Sequence, residues 1–159
     1  MKALSLIQPY ATLIMLGYKT NETRSWDTKH DGPLAIAVSA GKPAWARKVC
    51  QEDMHIRQIL SNHGLTFDTL PRGVIVGTCY VMGTLPIAGP DTYLKKEEPH
   101  MFCHPEQLTP VERACGDYSY PGRYAWKLIN VRVFDTPVPC KGALKLWQVP
   151  LEALQQFPN

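Results

Sequence analysis

The sequence predicts a mixed α+β fold built around one small, strongly curved sheet, and three observations predict it. The apolar periodicities run helix, strand, strand, helix, strand, long loop, helix, strand, strand, without the regular βα alternation of a doubly wound parallel sheet. Two long stretches, "RGVIVGTCYVMGTLPI" and "GRYAWKLINVRVF", are rich in β-branched and aromatic residues. The chain has 159 residues, 45% of them hydrophobic and 19% charged, which suits a single domain over residues 1–159 with a real core.

The elements follow in order. "SLIQPYATLIMLG" predicts a first helix, with Pro9 at its first position, Gly17 as its C-terminal cap, and an apolar stripe of Ala11, Leu13, Ile14 and Leu16. "TNETRSW" predicts an extended segment with Thr20, Glu22, Arg24 and Trp26 on one face. "GPLAIAVSA" alternates as a strand. "KPAWARKVCQEDMHIRQILSNHG" predicts one long helix whose apolar face carries Trp45, Val49, Ile56, Ile59 and Leu60, with His63 as a C-terminal cap. In the next strand, Gly77 and Gly83 predict bulges or a close backbone approach. Residues 86–105 carry four prolines and read as a loop. "LTPVERACG" predicts a short helix with Thr109 as N-cap, Pro110 at the first position and Glu112 closing a capping box. A strand from "GRYAW" onward, a short strand near Lys145–Val149 and a polar tail complete the chain.

Bulk properties exclude several classes. The formal charge of +3 permits an anionic ligand but is far from a dedicated nucleic-acid-binding tail. No apolar run is long enough to span a bilayer, and the opening "MKALSLIQPY" is too short and too interrupted for a signal peptide, so a cytoplasmic location is expected. Five scattered cysteines argue against a disulfide framework.

The chemistry concentrates in "GYKTNETRSW". A helix end followed by a strand is a rigid mount. Glu22 and Arg24 alternate onto one strand face, and Lys19 stands at the junction, where it can lean over that face. A carboxylate beside two cations stays ionised, and an ammonium there can steady an oxyanion. The same pattern also fits a surface salt-bridge cluster. A second unusual stretch, "CGDYSYPGRYAW", offers Asp117, Tyr118, Ser119, Tyr120 and Arg123, which can stack a base and bond its edge or can simply pack on the core. "HMFCH" places His100, Cys103 and His104 at metal-compatible spacing, but no second pair completes a ligand set, so no metal is expected.

"LSLIQPYATLIMLGYKTNETRSW", "GPLAIAVSA", "RGVIVGTCYVMGT", "GDYSYPGRYAWKLINVRVF" and "KGALKLW" together resemble the ASCH domain family of the PUA-like superfamily, in the right order and over most of the chain. The resemblance implies a PUA-like curved sheet or small β-barrel with flanking helices and a cleft beside the first helix. It also implies RNA or nucleotide binding. Small bacterial members are similar to metal-independent amidohydrolases that deacylate N4-acetylcytidine and related N4-acylcytidines; RNA-binding or ribonuclease use of the same cleft is the alternative. Lys19 matches the catalytic lysine of the amidohydrolases. Glu22 stands where those enzymes have a threonine, and Glu112 and Asp117 are candidates for a further carboxylate. The expected catalytic set is Lys19, Glu22 and Arg24. Lys19 would steady the oxyanion, or attack as a neutral amine, and Glu22 would shuttle the proton. The expected substrate-binding set is Tyr10, Trp26, Ser39, Asp117, Tyr118, Ser119 and Arg123. The expected partners are a modified cytosine nucleoside and possibly RNA, with no cofactor and no membrane.

Overall fold

A computed structural model describes residues 1–92 and 102–158. One six-stranded sheet organises it, in the order β2-β5-β4-β3-β1-β6, where β1 is Lys2–Leu6, β2 Asn21–Arg24, β3 Gly32–Val38, β4 Val74–Pro86, β5 Tyr124–Pro139 and β6 Leu146–Gln148. β1 and β3 pair in parallel, and every other neighbour pair is antiparallel. The sheet curls as a half-barrel. Its curvature comes from register shifts along the β4–β5 ladder, between Ile75 and Gly77 and between Val81 and Thr84, the latter at Gly83 with φ +82°. Gly77 admits no side chain, because a Cβ there would strike the Arg132 carbonyl oxygen and the Met15 sulfur.

The helix predicted over 5–17 is shorter than expected, and a strand that the sequence did not announce precedes it. "KALSL" extends as β1, and α1 covers only Tyr10–Met15, directly after Pro9. Its Leu and Ala content reads as helical in isolation, but β1 lies between β3 and β6, where pairing overrides propensity. Gln8, fully buried, bridges the turn. Its side-chain oxygen accepts from Thr12 N at 3.1 Å and its amide donates to Pro71 O at 3.0 Å. Gly17, with φ +82°, ends the helix as expected and turns the chain toward β2.

The long helix predicted over residues 42–64 is two: α2, Ala44–Glu52, and α3, Met54–Asn62. Asp53 separates them by capping α3, its carboxylate accepting from His55 N and Ile56 N. Trp45, assigned to the apolar face, is instead 51% exposed. His63 caps α3 as expected. α4, Pro110–Ala114, has the Thr109 cap, whose hydroxyl accepts from Glu112 N at 3.1 Å. The capping box is only half formed, since Glu112 turns its carboxylate away. The polar tail contains a further short helix, α5, Leu151–Leu154.

The core beneath α1 joins Leu4, Leu6, Ile14, Leu34, Ile36, Val81 and Trp126; α2, α3 and Leu13 enclose a second apolar cluster. All five cysteines are free, and four are buried. Among the described residues, no helix is long and apolar enough to cross a membrane.

Gly77→Ala should lower the thermal midpoint, because the added methyl meets backbone on one side. The expected loss is about 1–3 kcal/mol, which a melt of this variant beside wild type measures; an unchanged midpoint would show that β4 and β5 can separate at no cost.

Candidate functional site

The site begins where α1 stops. Gly17 reverses the chain and Lys19 points inward, 2% exposed. Its Nζ donates to Asn21 O at 2.7 Å and to Cys115 O at 2.7 Å, and lies 3.2 Å from Glu22 Oε2. An ammonium has three N–H donors, so these three acceptors use all of them. Glu22, also buried, reaches in the other direction to Arg24, with Oε1 2.8 Å from Nε. The alternation along β2 therefore brings Glu22 and Arg24 onto one face as the sequence predicts. Lys19 joins them from behind rather than leaning over them.

Glu22 and Arg24 line a cleft of about 710 Å³. Tyr10, Trp26, Ser39 and Arg123 line it too, with Trp45 and residues 140–145. Trp26 lies just beyond β2 rather than within it, edge-on to the buried Trp126 with centroids 4.6 Å apart. The Tyr10 ring is stacked with Trp45, at 6.4 Å and 28°, and lies 5.7 Å from Lys19 Nζ. Burial raises the Tyr10 phenol above its ordinary range, and the thiols of Cys115 and Cys50 and the Glu22 carboxylate add to the shift. The Arg24 guanidinium donates to Ser5 O at 3.2 Å and remains partly exposed to the cleft.

Asp117, Tyr118 and Ser119 do not reach the cleft lining. Asp117 accepts from Ser119 N at 3.0 Å and sits 3.3 Å from Arg123 Nε, so it braces an arginine that does line the cleft. Its carboxyl is held below the ordinary range, chiefly by hydrogen bonding from Ser119, with Arg123 adding to this. Tyr118 faces a second buried carboxylate, Glu112. That group accepts from Thr20 N at 2.7 Å, Thr20 Oγ1 at 2.9 Å, Asn21 N at 3.0 Å and Tyr118 Oη at 2.9 Å. Glu112 thus staples α4 to the start of β2, and the same helix end lends Cys115 O to Lys19. Capping-box spacing signals Glu112 only as a local cap, because three of its four donors lie 91 or 92 residues earlier. Of the suggested metal ligands, His100 lies outside the described residues. Cys103 and His104 lie away from the cleft, and no group of three or more His, Cys, Asp or Glu is placed to hold a metal among the described residues.

The ASCH domain family matches this chain over residues 4–138. The chain belongs to the ASCH domain family, and its curled sheet has the PUA-like form. A 41-residue segment is 51% identical to human Activating signal cointegrator 1; it makes up 26% of this chain but only 7% of that protein's length. Two crystal structures of ZmASCH variants from Zymomonas mobilis align with nearly the whole chain. A serine-to-alanine variant covers 98% of this chain and 92% of its own at 15% identity and a TM-score of 0.50. A tyrosine-to-phenylalanine variant covers 98% and 94% at 16% identity and 0.49.

Two outcomes test the staple. Glu112→Gln replaces one of two acceptor oxygens by an NH₂ that faces two of the four donors, which should cost roughly 2–4 kcal/mol in urea unfolding. The second concerns alkaline pH. Burial drives the Tyr118 phenol well above the tyrosine range, and Glu112 adds to the shift. Above pH of about 10, where an unfolded tyrosine loses its proton, the folded state retains it, so stability falls as pH rises. Tyr118→Phe should make that alkaline decline shallower; an identical slope in the two proteins would remove Tyr118 from it.

Proposed function

We propose that the cleft takes an N4-acylated cytosine nucleoside and hydrolyses its exocyclic amide without a metal. The observation that carries this reading is the Glu22 carboxylate, buried yet part of the cleft wall and fixed between Lys19 and Arg24. Trp26 and Tyr10 supply apolar ring surface for a pyrimidine, and Ser39 and Ser25 supply polar groups at its edge. Glu22 takes a proton from water as the oxygen attacks the acyl carbon. It returns that proton to the N4 nitrogen as the C–N bond breaks, releasing carboxylic acid and cytidine. Lys19 has all three donors committed, so its part is to hold and charge-balance Glu22. Arg24, the cation of the trio that borders the cleft beside Glu22, steadies the oxyanion. The ASCH membership supports the substrate class.

A second reading is favoured by one observation. Arg24, Arg123, Lys141 and Lys145 share the cleft with three aromatic rings, Tyr10, Trp26 and Trp45. Cations and rings in one groove suit a base and phosphate of RNA, bound or cleaved there.

The deciding experiment is release of cytidine from N4-acetylcytidine in EDTA by wild type and by Glu22→Gln. The variant should lose roughly 10²–10⁴-fold in kcat/KM. Lys19→Met should instead fail mainly in stability, by about 3–5 kcal/mol, since it strips two buried carbonyls and Glu22 Oε2 of their donor and leaves the buried carboxylate only Arg24. A wild type inert across a series of acyl groups would reject the hydrolase. RNA affinity falling steeply with salt would then support the second reading.

A further inference from the structure

The charges lining the cleft are unevenly compensated. Glu22 is matched by Lys19 and Arg24, and Arg123 lies 3.3 Å from Asp117. Lys141 and Lys145, on the wall formed by residues 140–145, have no carboxylate within ion-pair distance among the described residues. The positive charge left without a partner therefore gathers at one side of the cleft.

That wall is held in place. Cys140 N donates to Gly73 O at 3.1 Å. Gly142 lies so close to Ser5 that a Cβ there would collide with its hydroxyl oxygen, and Trp147 Nε1 donates to the same oxygen at 3.0 Å. Ser5 O, in turn, accepts from Arg24. One residue of β1 thus ties the lysine-bearing wall to the cation beside Glu22. Lys145 adopts φ +58°, a left-handed backbone that costs free energy for any residue with a Cβ. Strain of this kind at a ligand cleft marks a position set by use.

We propose that residues 140–145 form a phosphate subsite, with Lys141 and Lys145 as its cations and Arg24 bordering it, so that the cytosine nucleoside taken by the cleft carries a phosphate ester. This rests on the nucleoside reading above and narrows it. Near neutral pH a phosphomonoester carries close to two negative charges, which suits two lysines with no carboxylate within ion-pair distance among the described residues. Two sources offer the same chemistry: the terminal phosphate of a mononucleotide and the phosphodiester of an RNA strand.

Calorimetric titration separates them, using cytidine, cytidine 5′-monophosphate and a cytidine trinucleotide with a 5′-hydroxyl, on wild type and on the double variant Lys141→Gln, Lys145→Gln. Both lysines are exposed, so the variant should melt with wild type. The monophosphate should bind about tenfold or more tightly than cytidine, with the gain shrinking as salt rises. The double variant should lose that gain and keep its cytidine affinity. A gain shown by the trinucleotide but not by the monophosphate keeps the subsite and assigns it to a strand. Cytidine binding with no gain from either phosphate overturns the subsite while sparing the nucleoside reading, as does a gain that survives in the double variant. No binding of any of the three overturns the subsite, while the release of cytidine from N4-acetylcytidine, measured beside it, decides the nucleoside reading separately.

Discussion

A buried ammonium has to be fully coordinated, and Lys19 sets the terms for what surrounds it. Desolvating such a charge is costly unless every donor finds an acceptor. The acceptors come from three places: the backbone of β2, the carboxylate of Glu22, and the last turn of α4, 96 residues along the chain. The turn at Gly17, the extension of β2 and the docking of α4 therefore converge on one nitrogen atom. Glu112 reinforces the same junction with opposite chemistry. It is a buried carboxylate satisfied by backbone and hydroxyl donors.

This coordination divides the labour within the charged cluster. A lysine with spare donors could bind substrate, but one that is saturated fixes its neighbours. Lys19 and Arg24 hold Glu22 from opposite sides, at Oε2 and Oε1, so the carboxylate has little rotational freedom where it meets the cleft. Preorganised groups of this kind need no rearrangement when a ligand arrives. Of the cations that line the cleft, the two arginines, Arg24 and Arg123, are each braced by a neighbouring carboxylate, Glu22 and Asp117.

What the sequence disclosed and what it concealed follow from distance along the chain. Glu22 and Arg24 share a face because side chains alternate along a strand, and that rule is local. The glycine bulges of β4 and the Thr109 cap are local in the same sense. Lys19's three-fold coordination was not legible, because a remote backbone carbonyl carries no side-chain signature. Glu112 was half legible: its spacing announces a cap, while its true partners lie across the fold. β1 hid because "KALSL" has no strand-like composition and runs directly into the helix of "QPYATLIM". The break at Asp53 hid inside a stretch whose apolar period continues on both sides. Tyr118 was expected beside a ligand, but it is turned toward Glu112 instead.

Ser5 carries one more implication, for the order in which the protein is assembled. It sits on β1, yet it is gripped by Trp147 of β6 and packed by Gly142, and β6 pairs only with β1. On the ribosome, residues 1–92 can begin to gather β1, β3 and β4 long before that wall emerges. Contacts this distant in sequence close late, because the intervening chain must first be ordered. A nascent chain that has made β1 through β5 thus has its charged cluster but not the far side of the groove. The groove is complete only once β6 has joined β1 and residues 140–145 have closed its far side.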